Sequence, residues 1–272
     1  EGPQKVIERL PAGSRNEGSL LENTIYVLKR EDGVRNLDTR AFKHLEGIEG
    51  EARYFAVGLE LALTWLNRIL FLKLLESQLI QYNHGDYGQA FLHTEKIPDF
   101  DILQELFFEV LALQPQERRA SIQEKYGHIP YLNSSLFEPG KLEKATIKVN
   151  QLKHHIPLPL YAKTVLKDGQ GSRLQGTKPL LAYIFEFLDS YDFSGDHKAQ
   201  LQARGKSIIN PAVLGLIFEK INGYQEGSFF TPGYVTMYIS RETIRQAVVW
   251  KFRKSGLPGF DNVQDIKGLY NQ

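Results

Sequence analysis

The sequence predicts a mainly α protein, a multi-helix bundle-like body with a small β-ribbon inserted in it. Three patterns carry that expectation. Residues 51–82 place Phe55, Leu59, Leu63, Leu70 and Leu74 near helical spacing, and Ala56, Ala62, Trp65, Ile69 and Leu72 widen the apolar face. Several later apolar blocks have Pro, Asn or Asp at their start and Gly or Pro at their end. Residues 142–167 alone break the helical period, with alternation in "ATIKVNQL" and extended backbone imposed by Pro157 and Pro159.

In chain order, residues 1–18 mix Pro, Gly and charge and read as loose. "TIYVLKRED" (24–32) is a short apolar run of open type, and "LDTRAFKHLEGI" (37–48) reads as a helix with Asp38 at its N-cap. The wide face of 51–82 implies contacts on more than one side, and "HGDYG" (84–88) stops it. "PDFDILQELFFEVLALQP" (98–115) is a second helix, with Asp99 or Asp101 as cap and Pro115 as terminator, and a charged helix follows over 116–126. The β-ribbon falls at about 142–167, with the prolines keeping its second segment at an edge, and "DGQGSRLQGT" (168–177) is a loop. Helices resume at 178–191, at 210–223 behind Asn210 and Pro211, and at 231–256.

The 272 residues, 42% of them hydrophobic, suffice for one large domain or two small ones without disulfides. Cysteine is absent, which removes thiol nucleophiles and cysteine zinc sites and fits a reducing, cytoplasmic setting. A net charge of +1 gives a weak overall field, so nucleic-acid binding would need a local patch. Glu60, Arg68, Lys73 and Glu76 interrupt the most apolar stretch, where a membrane would charge several kcal/mol for them, so a buried helix and no membrane contact is expected. The start "EGPQKV" lacks Met and suggests a processed or excised piece.

Candidate chemistry is sparse. Adjacent His154 and His155 point apart in a strand and have no ligand set around them, so no metal is expected. A nuclease would need acidic metal ligands and a lysine; Pro98-Asp99, Asp196-x-Lys198 and Asp265-x-Lys267 are fragments of such a motif, and Asp99 is explained as a helix cap. "GQGSRLQG" (169–176) has the wrong glycine spacing for a phosphate loop, and Ser134 and Ser135 read as caps. Arg241, Arg245, Lys251, Arg253 and Lys254 suit either the C-terminal helix dipole or DNA phosphates.

One stretch stands out, "GYQEGSFFTPGYVTMYISRETI" (223–244). Gly227 allows a close approach, Phe229 and Phe230 offer flat apolar faces, and Thr231 and Pro232 stand at a helix N-terminus. Such a corner suits a carboxylate and a sulfonium, or simply packs a helix entry with Thr as its cap.

"GSFFTPGYVTMYI" (227–239) resembles motif X of the γ-class amino-methyltransferases that methylate adenine N6 in DNA. "RILFLKLLESQLIQYN" (68–83), "LFFEVLA" (106–112), "IPYLNSSLFE" (129–138), "FLDSYDFS" (187–194) and "INPAVLGLIFEKINGY" (209–224) are similar to the helical region before motif X in type IIG restriction–modification enzymes, which join endonuclease and methyltransferase in one polypeptide. The resemblance spans roughly residues 50–256. It implies that Phe229, Phe230, Thr231 and Pro232 contact S-adenosylmethionine, with Gly227 shaping the turn.

The family's DPA-x-GSG-like cofactor loop and its Asn/Asp-Pro-Pro-Tyr/Phe base-flipping motif are absent from these residues. The resemblance therefore implies a connector: 1–50 a partly ordered lead-in, 51–225 a helical spacer, and 226–272 the start of the methyltransferase region. No catalytic residue is assigned. The implied partners are double-stranded DNA and flanking nuclease and methyltransferase domains, with Mg²⁺ serving the nuclease elsewhere. A free-standing helical DNA- or partner-binding domain, and a nuclease domain with a degenerate metal site at Asp196 or Asp265, are the other readings.

Overall fold

The computed structural model describes residues 8–35, 37, 38, 40–132, 135–193, 207–209, 217 and 233–254. It separates into two compact units, Glu1–Asn210 and Pro211–Gln272, and the described residues are mainly helical with a small two-stranded antiparallel ribbon.

The first unit is organised by α2 (Gly50–Tyr82), the long helix that the apolar spacing predicts. Val57, Leu61, Trp65, Ile69 and Leu72 recur on one face and are buried. They meet α1 (Leu20–Arg30) and α3 (Phe100–Glu105), which continues as a π-helical segment over Leu106–Leu111. Further along the chain stand α4 (Ala120–Tyr126), α5 (Lys141–Ala145) and α6 (Leu180–Asp189), whose Leu181 and Phe185 complete the core. By length and composition alone α2 could cross a membrane. Its charges Arg68, Lys73 and Glu76 are instead buried in protein, and each has a protein counter-charge.

Local rules explain the ends of these helices. Ser19 caps α1, its side chain accepting from the Glu22 amide. Asp99 caps α3 by accepting from Ile102 N at 2.9 Å, as its position predicts. After Tyr82, His84 and Gly85 take positive φ (57° and 84°), which ends α2 within "HGDYG". Gly58 lets α1 and α2 close up: a Cβ there would lie 2.8 Å from Ile25 Cγ1.

Three sequence expectations are corrected. The run of open type at 24–32 supplies its first seven residues to α1, which ends at Arg30, and Arg9, in the segment read as loose, bonds Glu22 at 2.7 Å and Glu51 at 2.9 Å. The expected helix over 37–48 is only a 3-10 turn at Lys43–Leu45; Asp38 accepts from Arg40 N instead, and Gly47 at φ 77° takes the chain out of helical geometry.

Only the second segment of the expected ribbon at 142–167 forms a strand, at Pro157–Pro159; its partner lies outside that range. Residues 141–145 form α5, because the Glu143 carboxylate accepts from Gly140 N at 2.8 Å and closes a helical turn. The alternating Ile147 and Val149, with Leu152, enter the core from turns rather than from a strand. The ribbon is β1 (Pro157–Pro159) against β2 (Thr177–Pro179), with Leu158 opposite Lys178. Tyr191–Asp192 (β3) and Ser207–Ile208 (β4) form a separate parallel pair.

The tightest knot in the unit joins α2 to α5. Arg68, 1% exposed, is bidentate to Glu143 at 2.5 and 2.7 Å and also donates to the carbonyls of Leu136 and Glu138 at 2.6 and 2.9 Å. Trp65 Nε1 donates to the same carboxylate at 2.8 Å, and Phe107 and Phe108 lie 5.5 and 5.0 Å from the guanidinium. Burial alone would push the Glu143 pKa up; hydrogen bonds and charge from Arg68, helped by Gly140 N and Trp65, bring it below the ordinary carboxylate value.

In the second unit the described element is α7 (Gly233–Lys254).

Glu143→Gln removes the charge while keeping the shape. It leaves Arg68 buried without a counter-ion, so urea unfolding should show a loss of about 3–5 kcal/mol at neutral pH. A depressed carboxylate contributes stability that is complete above its unfolded pKa and is lost as pH falls through its folded pKa. The difference between parent and variant should therefore shrink on acidification. A difference that persists unchanged at low pH contradicts the ion-pair account.

Candidate functional site

The turn expected to contact the cofactor, Phe229, Phe230, Thr231 and Pro232, lies outside the described residues, as do Gly227, Ser134, Asp196 and Asp265. α7 starts at Gly233, the residue that follows Pro232 in sequence. Of its basic residues, Arg245 pairs with Glu242 at 2.7 Å and Lys254 lies 5.0 Å from the Trp250 ring centre. His154 and His155 meet edge to face, 5.7 Å between ring centres. Among the described residues no three His, Asp or Glu side chains gather as metal ligands.

The structure brings together a site that the sequence reading did not. One turn beyond Arg68, Lys73 and Glu76 share a face of α2 and pair at 2.6 Å. The second oxygen of Glu76 accepts from Phe91 N and Leu92 N at 2.7 and 2.6 Å, which clamps the 87–92 segment against the helix. Lys73 also reaches Asp189 at the end of α6, 3.1 Å away. Burial acts to lower the Lys73 pKa, but Glu76 and Asp189 outweigh it and hold the ammonium above its ordinary value. Glu76 is committed to three donors, so this triad is a brace and not a free acid–base pair.

Above the brace opens a cleft of about 780 Å³, within the size range of small-ligand sites. Buried Glu76 and Lys73 lie at its base, and Leu92, His93, Phe185 and Tyr191 are among the other residues that line it. The remaining lip is a hairpin carrying Lys163, Lys167 and Arg173. Lys167 bridges Arg173 across the hairpin, Asp168 N donates to Ser172 O at 2.8 Å, and Leu174 N donates to Leu166 O at 2.9 Å. Asp168 Oδ1 accepts from Gln170 N and Ser172 N, both at 2.9 Å, and Gly171 supplies the positive φ of 84° that the turn requires. Buried Thr164 and Leu166 root the hairpin in the body. The signal open to sequence reading was three cations within eleven residues around a Gly-rich turn, "KTVLKDGQGSR" (163–173).

The brace predicts an asymmetry between its two acids. Glu76→Gln should cost about 3–5 kcal/mol, because it leaves the Lys73 charge buried and weakens the clamp on Phe91 and Leu92. Asp189, whose side chain is 59% exposed, should cost under about 1 kcal/mol as Asn. Equal costs in urea unfolding would contradict the assignment of Glu76 as the centre of the brace.

Four of the blocks behind the resemblance converge on α2. "RILFLKLLESQLIQYN" supplies Arg68, Lys73 and Glu76, "LFFEVLA" the two rings over Arg68, "IPYLNSSLFE" the carbonyls that Arg68 reaches, and "FLDSYDFS" the Asp189 carboxylate. Comparison with known proteins gives a relative and a family model. The chain is 27% identical over 208 residues to a Methanocaldococcus jannaschii protein that bears the name of a type II restriction enzyme and methyltransferase. That match covers 71% of this chain but spans only 15% of the relative's length. No solved structure matches significantly. The second match is a family model described as "Domain of unknown function (DUF7814)", which covers residues 1–209, more than half of the chain; the protein belongs to that family.

Proposed function

We propose that this chain is a helical connector of a restriction–modification protein, standing between an endonuclease and an S-adenosylmethionine-dependent adenine-N6 DNA methyltransferase of the type IIG kind. The observation that carries the reading is the match over 208 residues to a segment of a much longer protein named for both activities. The internal build of the first unit supports it. A 33-residue helix braced by two buried charge networks keeps its ends at a fixed separation, which is what an element between two catalytic centres has to do.

α7 supports a methyltransferase neighbour. Tyr234, Met237, Tyr238 and Ile244 are 64–76% exposed on one helix, an apolar display that usually marks a surface for another domain. α7 starts at Gly233, and in this reading its first-turn N–H groups serve the same ligand as Thr231 and Pro232. Those donors suit the carboxylate of the methyl donor, and the rings of Phe229 and Phe230 suit its sulfonium. In this reading the donor supplies the methyl group, while the chain's own part is to hold one side of it. DNA enters as the partner of the whole enzyme, Mg²⁺ belongs to the nuclease, and the setting is the cytoplasm.

The test is calorimetric titration of S-adenosylmethionine into the polypeptide that contains both this chain and a methyltransferase core. Phe230→Ala with Thr231→Ala should weaken donor binding by about tenfold or more, while duplex DNA affinity stays at the parent level. Parental donor affinity in the double variant contradicts the proposal. Salt-sensitive duplex binding by the 272 residues alone favours a free-standing DNA-binding domain only when it comes together with donor affinity that the two substitutions leave unchanged.

A further inference from the structure

Lys167 and Arg173 face each other across the hairpin at the mouth of the cleft. Residues directly opposite in an antiparallel bridge send their side chains to the same face, where like charges repel and reduce stability. Lys163 lines the same cleft. A surface usually relieves such a group with nearby carboxylates, and carboxylates are present here. All of them are engaged elsewhere. Glu76 and Asp189 serve Lys73, Glu186 bonds Lys178 at 2.7 Å, and Asp168 accepts from amides of its own turn. Among the described residues, Lys163, Lys167 and Arg173 have no acidic partner.

The hairpin that carries these cations is held in shape. Its turn is closed by the Asp168 carboxylate and by backbone bonds on both sides of Gly171, and its base is anchored by buried Leu166. The three charges therefore converge on a prepared cleft and are not scattered on a mobile loop. The cleft lining adds the half-buried ring of Tyr191. Cations with ring faces beside them are the chemistry that recognises a phosphate ester attached to a base or sugar.

We propose that this cleft is a phosphate-ester binding site, with Lys163, Lys167 and Arg173 as the groups that contact the phosphate. The site rests on the cleft alone and is independent of the connector role. Two sources share the chemistry, a free mononucleotide inside the cleft and a backbone phosphate of DNA laid across its lip. Two like charges facing each other without a carboxylate between them also have a consequence without ligand. Neutralising that pair should leave the protein as stable as before or more so, while binding is lost.

The experiment uses the full 272-residue chain with two probes, ADP and a short fluorescein-labelled DNA duplex, at low and high salt. ADP in excess should raise Tm if the mononucleotide is the ligand, and fluorescence anisotropy should report the duplex if the backbone phosphate is. Binding of either probe should weaken with salt. It should fall by about tenfold or more in Lys167→Gln/Arg173→Gln, and separately in Lys163→Gln. The ligand-free Tm of the double variant should equal or exceed that of the parent. ADP binding identifies the mononucleotide and duplex-only binding identifies the DNA backbone; both support the site when the variants abolish them. Binding of neither probe, variants that bind as well as the parent, or a lowered ligand-free Tm in the double variant would each overturn it.

Discussion

The bidentate pair of Arg68 and Glu143 is the constraint on which the rest of the first unit depends. Taking a guanidinium and a carboxylate out of water is costly, and their attraction offsets the cost only when the remaining donors and lone pairs are also satisfied. Here they are: Leu136 O, Glu138 O, Trp65 Nε1 and Gly140 N each take one of those places. Because each of these groups has one correct position, the network fixes where the 136–143 segment lies along α2. Phe107 and Phe108, over the guanidinium, tie in the π-helical segment at the same point. The Lys73–Glu76 brace repeats the device further along α2, and there it fixes the 87–92 segment and the end of α6.

This explains what could be read from the sequence. α2 was legible because its signal is local: apolar side chains at helical spacing followed by a His-Gly turn with positive φ. The cap at Asp99 was legible for the same reason. The charges inside the apolar stretch correctly argued for burial in protein, yet their partners could not be named, since Glu143 lies 75 residues from Arg68 and Asp189 lies 116 from Lys73. The ribbon's partner strand was hidden for the same reason. "ATIKVNQL" alternates as a strand would, but Ile147, Val149 and Leu152 enter the core from turns, and the extended Pro157–Pro159 segment pairs with Thr177–Pro179 rather than with 145–152. Of the cationic hairpin only the tip, within 168–177, was visible as a loop, and its meaning appeared only when the body folded a cleft against it. The Phe229–Pro232 turn stays an expectation, because it lies outside the described residues.

Fold and proposed role meet in the same physical property. A connector has to transmit position, which requires that its parts not slide past one another, and buried hydrogen-bonded charge networks resist sliding more than apolar contacts do because every displacement strands a charge. The cleft then has a rigid floor supplied by the brace and a preformed lip supplied by the Asp168 turn.

Native-state hydrogen exchange on the full chain addresses the central claim, that the charge networks make α2 and the segments clamped to it one cooperative unit. The account predicts that the amides of Trp65–Glu76, together with those of Phe91 and Leu92, exchange only through an opening as costly as global unfolding of the first unit. Exchange of Phe91 and Leu92 through a cheap local opening, while the middle of α2 stays protected, would contradict it.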